Sequence, residues 1–179
     1  MATQTKLTIP ERVGEAHEVN YGVAAGDFGS LARDRVPVRA MKADDLHALV
    51  AIDRRIVGRD RTCYFQRKLA EALQESDVRV SLVAELDGHP VGFIMARVDL
   101  GEFGRVESTA VMDTIGVDPE YRNLGVGKAL LSQIIVNLRT LRVERLRTEV
   151  EWRDHALLSY LERFDFCPSQ QLCLDLGLT

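Results

Sequence analysis

The chain has little cysteine: three in 179 residues, Cys63, Cys167 and Cys173. The number is odd and the spacing matches no metal-ligand pattern. That argues against a disulfide framework and for reduced, mostly buried thiols in a cytoplasmic protein. The four histidines, His17, His47, His89 and His155, are scattered, with no pair at ligand spacing, so no metal site is expected. No apolar run approaches the length that spans a bilayer, and the N-terminus lacks the apolar core of a signal peptide. Positive charge is not in excess either. Lys and Arg number 23 against 27 Asp and Glu, a net charge of -4. This removes the bulk electrostatic case for nucleic acid or an anionic membrane as partner. Repeats and low-complexity segments are absent.

What remains is ordinary globular composition, 46% hydrophobic and 28% charged, in a chain long enough for one domain with a full core. The stretch Ala110 to Leu131 organises it. Ala110 to Val117 is apolar and β-branched enough for a buried strand. Asp118-Pro119 ends that strand, because Pro119 has no N–H for the ladder and biases Asp118 away from helix. After Gly125 and Gly127, Leu130, Leu131, Ile134, Ile135, Leu138 and Leu141 fall at helical spacing on one face.

Two glycines at a strand-to-helix junction let the backbone approach a ligand and let N–H groups converge. The first turn of a helix adds unpaired N–H groups and partial positive charge. Together they suit a phosphate or pyrophosphate, and Lys128 adds charge there. The Walker pattern fails, since Arg122 stands at its first glycine and Ala129 follows Lys128. The dinucleotide fingerprint fails at Leu130.

The rest of the chain falls into alternating elements. Residues 1–35 form a polar extension, flexible, packed across the domain, or serving as a dimerisation arm. Val36 to Met41 is a first strand. A helix with Leu46, Leu49, Val50, Ile52 and Ile56 follows, capped by Asp44 or Asp45 and stopped at Gly58. Thr62 caps a second helix with Phe65, Leu69 and Leu73. Val78 to Leu86 and Val91 to Val98 pair as a hairpin through Asp87-Gly88. After the central strand and the long helix come a strand at Leu146, Thr148 and Val150 and a helix at Ala156 to Phe164. A last strand carries Leu172, Leu174 and Leu176.

The hexad Arg122-Asn123-Leu124-Gly125-Val126-Gly127 fits Arg/Gln-x-x-Gly-x-Gly/Ala, directly after Ile115-Gly116-Val117-Asp118-Pro119. In this motif, and in the order β-α-α-β-β-β-α-β-α-β over about Val36 to Leu176, the chain resembles the GNAT superfamily of acetyl-CoA-dependent N-acetyltransferases. The resemblance implies an α/β (α+β) domain over residues 36–179, a mixed and mostly antiparallel sheet flanked by helices. It implies acetyl-CoA as co-substrate, with no metal. A primary amine of a small molecule, peptide or protein would attack directly in a ternary complex. An acyl-CoA-binding regulatory domain with little turnover is the alternative.

Residue by residue, the resemblance places the pantetheine arm along Ile115 and Val117. It sets the pyrophosphate on Asn123, Leu124, Gly125, Val126, Gly127 and Lys128, with Arg122 beside it. Asp154 takes the place of a family Asn, Leu157 of an Ala, Leu161 of a Tyr and Asp165 of a Gly. The family's proton donor to the leaving thiolate is therefore missing from its slot. Tyr160 is adjacent but about 100° away around a helix; it is either that acid after a register shift or a core aromatic. A Glu that some members carry falls at Val111. Asp113, two residues on, is the candidate base through water, with Glu107 in reserve. Arg54, Arg55, Arg59 and Arg61 form a basic cluster near the implied acceptor site. With Asp53 and Asp60 interleaved, it is either a site for an acidic acceptor or a solvated face.

Overall fold

The computed structural model of the chain describes residues 35–74, 80–99, 108–170 and 175–177. The elements are β1 (Val38–Ala40), α1 (Leu46–Val57), α2 (Thr62–Gln74), β2 (Leu82–Leu86), β3 (His89–Asp99), β4 (Thr109–Val117), α3 (Val126–Thr140), β5 (Arg145–Arg147) and α4 (His155–Glu162), with 3-10 turns at Ala43–Asp45 and Pro119–Tyr121. The strands form one sheet in the order β1-β2-β3-β4-β5. Every pair is antiparallel except β4 with β5.

Period-two alternation sends side chains to two cores. Leu82, Ala84, Ile94, Ala96, Ala110 and Met112 face α3 and α4, where Leu130, Leu131, Ile134, Leu138 and Leu161 meet them. Val83, Phe93 and Met95 face α1 and α2, meeting Leu49, Ile52, Phe65 and Leu69. The sheet is thus a middle layer with helices on both faces.

Local signals place most boundaries. Asp87 and Gly88 both take positive φ, 50° and 76°, in the β2–β3 turn, as a two-residue hairpin demands. Gly58 ends α1 in the left-handed region, its N–H donating to the Arg54 carbonyl at 2.9 Å. Two caps differ from expectation. Asp60, not Thr62, satisfies the start of α2, its carboxylate accepting from the Thr62 N–H at 2.8 Å and hydroxyl at 2.6 Å. Asp45 reaches back to the Lys42 N–H at 2.7 Å and pairs with Arg39, so it caps the 3-10 turn rather than α1. Burial works against the Asp45 charge, but Arg39 and the Lys42 N–H outweigh it and hold the carboxyl below its ordinary range.

Cys63 and Cys167 are exposed free thiols, not buried ones. The expected last strand is not formed at Asp175–Gly177, and Leu172 to Leu174 lie outside the described residues, as do residues 1–34 and Glu107.

Candidate functional site

The site is built on β4. Its pairing with β3 slips once, where Met95 opposes Thr114 but Ala96 opposes Met112, so Asp113 is an extra residue in a β-bulge. A bulge turns the residues beyond it to the other face. By simple alternation Asp113 would share a face with Ile115 and Val117. Instead Ile115 and Val117 pack toward α3 and α4, whereas Asp113 reaches Lys68 of α2 on the opposite side.

On its other edge β4 pairs with β5 only from Thr109 to Val111. The Thr148 hydroxyl donates to the Met112 carbonyl at 3.0 Å just beyond that pairing. From there to Val117 no described strand covers this edge, so the two parallel strands splay. The opening is bounded by Asp113 at its apex and Val117 at its mouth.

The mouth leads into the glycine loop. Asp118 is buried and accepts from the Glu120 N–H at 3.2 Å and from Arg55 of α1 at 2.5 Å. Asn123 and Gly125 then take positive φ, 64° and 85°. Asn tolerates this conformation and Gly meets no penalty there. Left-handed residues alternating with ordinary ones turn successive N–H groups inward, an anion-binding nest. The loop feeds α3, whose N-cap residue, Gly125, supplies no side-chain cap. Arg122, Asn123 and Leu124 are exposed, Gly125, Gly127 and Lys128 half-buried, and Val126 buried.

Gly127 has a different task from Gly125. A Cβ built on it would stand 3.0 Å from the Tyr160 hydroxyl and 3.4 Å from its Cζ. Gly127 therefore lets α4 lie close against the start of α3. Tyr160 packs on the core beside Phe164, ring centroids 5.4 Å apart. Its hydroxyl is buried without a partner, and burial pushes its pKa up. It thus points at the glycine turn. Leu161 is buried in the core. Asp154 accepts from the Leu157 N–H at 3.0 Å and so caps α4.

Asp113 is held by two cations. Lys68 Nζ donates to Oδ2 at 3.2 Å, and Arg97 Nη1 donates to Oδ1. Burial works against the Lys68 charge. The hydrogen bond and charge of Asp113, with Glu71 at 3.4 Å, outweigh it, so the Lys68 pKa rises.

Two of the four arginines of the basic cluster are engaged, Arg55 with Asp118 and Arg61 with buried Asp53. Arg54 and Arg55 line an open depression of about 520 Å³ with His47, Val50, Ala51, Asp60 and Thr62. Among the described residues no helix is long and apolar enough to cross a membrane, and no group of three or more His, Cys, Asp or Glu could hold a metal ion.

Residues 46–166 match the model of the acetyltransferase (GNAT) family. The chain belongs to that family. The GNAT domain is 29% identical over 133 residues to a mycothiol acetyltransferase of Propionibacterium freudenreichii, covering 69% of this chain and 40% of that protein. It is 31% identical over 105 residues to an N-alpha-acetyltransferase of Sulfurisphaera tokodaii, covering 52% of this chain and 57% of that one. The chain therefore spans about half the length of these curated relatives. Among solved structures, the aminoglycoside N-acetyltransferase AAC(6')-Iy in complex with CoA superposes with a TM-score of 0.68 at 16% identity, covering 80% of this chain and 95% of that one. That likeness bears on the fold.

Proposed function

We propose that this GNAT domain transfers an acetyl group from acetyl-CoA to a primary amine. The observation that carries the reading is the continuity of a β4 edge that no described strand covers with a nest of N–H groups at a helix start whose N-cap is Gly125. An extended amide-bearing arm ending in a pyrophosphate fits that sequence of sites. The pantetheine arm would pair with β4 at Ile115 and Val117. The pyrophosphate would lie on the turn from Asn123 to Lys128, with Arg122 at its exposed flank. The relatives' names, a mycothiol and an N-alpha-acetyltransferase, support an acetyl donor and an amine acceptor.

The chemistry follows from placement. The amine nitrogen attacks the thioester carbonyl, the C–S bond breaks, and the leaving thiolate takes up the proton that the nitrogen sheds as it becomes an amide. Holding both reactants in one complex supplies much of the acceleration. The amine must first lose a proton, since a free primary amine is mostly protonated near neutral pH. Asp113, at the apex of the splay, takes that proton through a water. Each of its oxygens keeps a lone pair beyond the one spent on Lys68 or Arg97. Backbone N–H groups at the bulge polarise the carbonyl.

The test is CoA thiol release from acetyl-CoA with pooled amino acids, polyamines, aminoglycosides and peptides, against an amine-free control for exposed Cys63 and Cys167. Release with one pool is expected. Binding of acetyl-CoA without release from any pool would leave the domain a binding module.

A further inference from the structure

Three strands carry a row of residues across the sheet face that packs toward α2. Arg97 of β3 is the register partner of Val111 of β4, and Val111 is the register partner of Arg147 of β5. Their chain neighbours Ala96, Ala110, Met112 and Leu146 pack toward α3 and α4, so alternation puts Arg97, Val111 and Arg147 on the opposite face. Asp113, bonded to Arg97 and to Lys68 of α2, marks the same face. Adjacent strands lie about 4.8 Å apart, so the two arginine backbones are about 10 Å apart, a gap that two arginine side chains can close on one small anion. Val111 between them brings no charge. Arg97 meets Asp113 through Nη1, and its side chain is 60% exposed. Arg147 is half-buried and makes no ion pair among the described residues. The Thr148 hydroxyl, donating to the Met112 carbonyl, holds the end of β5 in place beside it.

We propose that Arg97 and Arg147 bind a carboxylate of the acceptor, so that the domain acetylates amines that carry a carboxylate a few bonds from the nitrogen. This rests on the acetyl-CoA reading of the site and adds to it the class of acceptor. Val111 lies two residues from Asp113 along β4, about 7 Å. A carboxylate held over Val111 therefore leaves the amine within reach of the bulge, where Asp113 takes its proton through water. Guanidinium groups suit the task, because their donors form a planar fork that matches both carboxylate oxygens. Arg55 and Arg61, by contrast, are held by Asp118 and Asp53. The carboxylate belongs either to a free amino acid or to the acidic first residue of a peptide, and the recognition chemistry is the same for both.

The experiment compares kcat/KM for matched acceptors, with acetyl-CoA and the full chain. The pairs are β-alanine and γ-aminobutyrate against their amides, and a peptide opening with aspartate against one opening with asparagine. The same pairs are run on Arg97→Gln, Arg147→Gln and Arg147→Lys. Wild type is expected to favour the carboxylate member of at least one pair about tenfold or more, the scale of a hydrogen bond to a charged group. The pair that shows the preference tells a free amino acid from a peptide. Both Gln variants are expected to bring that ratio near one, and Arg147→Lys to restore part of it. A general loss of fold lowers both members of a pair alike and leaves the ratio unmoved. Equal rates for acid and amide in wild type, turnover of neutral amines alone, or a ratio that neither Gln variant changes overturns the proposal. If wild type binds no acetyl-CoA, or binds it and acetylates no amine of any pool, the acetyl-CoA reading falls, and this inference with it.

Discussion

Arg55 Nη1 stands 2.5 Å from Asp118 Oδ2, and this pair fastens α1 to the turn that leads into the glycine loop. Asp118 is 5% exposed and, among the described residues, otherwise accepts from the Glu120 N–H. Arg55→Ala removes the charged donor from that carboxylate and leaves the neutral Glu120 N–H. The Arg55 side chain is 53% exposed, so solvent screens the pair. The expected cost is therefore about 1–2 kcal/mol, below that of breaking a fully buried pair. Urea denaturation measures it, and an unmoved midpoint would show that water satisfies Asp118 unaided.

Gly127→Ala brings a methyl group to within 3.0 Å of the Tyr160 hydroxyl. The expected loss is about 1 kcal/mol of stability from overpacking. Because the tightest contact is the hydroxyl oxygen, Tyr160→Phe should remove most of that loss. A double-mutant cycle reads the coupling. Additive effects would mean that the backbone, not the hydroxyl, limits this position.

Much of the fold was legible in the sequence because its signals are local. Alternation, turn residues and one amphipathic helix located β2, β3, β4 and α3, and the hexad located the loop. The bulge at Asp113 was not legible, since it depends on how β3 pairs and leaves no mark in β4 itself. It is the reason that Asp113 and Ile115, two residues apart, serve different faces. The cap on α2 was misplaced because Asp60 and Thr62 are both good capping residues, and their mutual hydrogen bonds decide between them. The helix ends hide a further feature. Arg142 and Asp165 take φ of 58° and 63°, positions that usually hold glycine. They are held by Val143 N–H to Leu138 carbonyl at 2.9 Å and Phe166 N–H to Leu161 carbonyl at 3.3 Å. Asp165 stands where the family pattern has Gly, so that departure preserves the turn.

Tyr160 gives stability a pH dependence with a definite sign. Burial raises its pKa above the ordinary value of about 10. From about pH 10 upward the unfolded chain releases this proton while the folded one keeps it, so stability falls as pH rises. Below that range the group contributes no slope. The difference in unfolding free energy between wild type and Tyr160→Phe should be flat to about pH 9, and wild type should then decline relative to the variant. Parallel curves up to pH 11 would contradict this account of the buried hydroxyl.

Asp113 is proposed to carry the amine's proton, and its substitution separates chemistry from binding. Asp113→Asn is expected to lower turnover by about 10²-fold or more, the usual scale for a general base, with a much smaller effect on acetyl-CoA affinity. Steady-state rates paired with CoA titration read both. Unchanged turnover would leave Asp113 a purely structural partner of Lys68 and Arg97.

The most direct measurement is titration of acetyl-CoA into the full chain and into Gly125→Val. Gly125 holds φ at 85° at the head of α3 with no atom within 4 Å of an added Cβ. The substitution therefore meets no clash at Cβ but strains the backbone that forms the nest. The account predicts saturable binding by wild type and at least a tenfold loss in the variant, the scale of one or two misplaced hydrogen bonds. No binding by wild type, or equal binding by a folded variant, would contradict it.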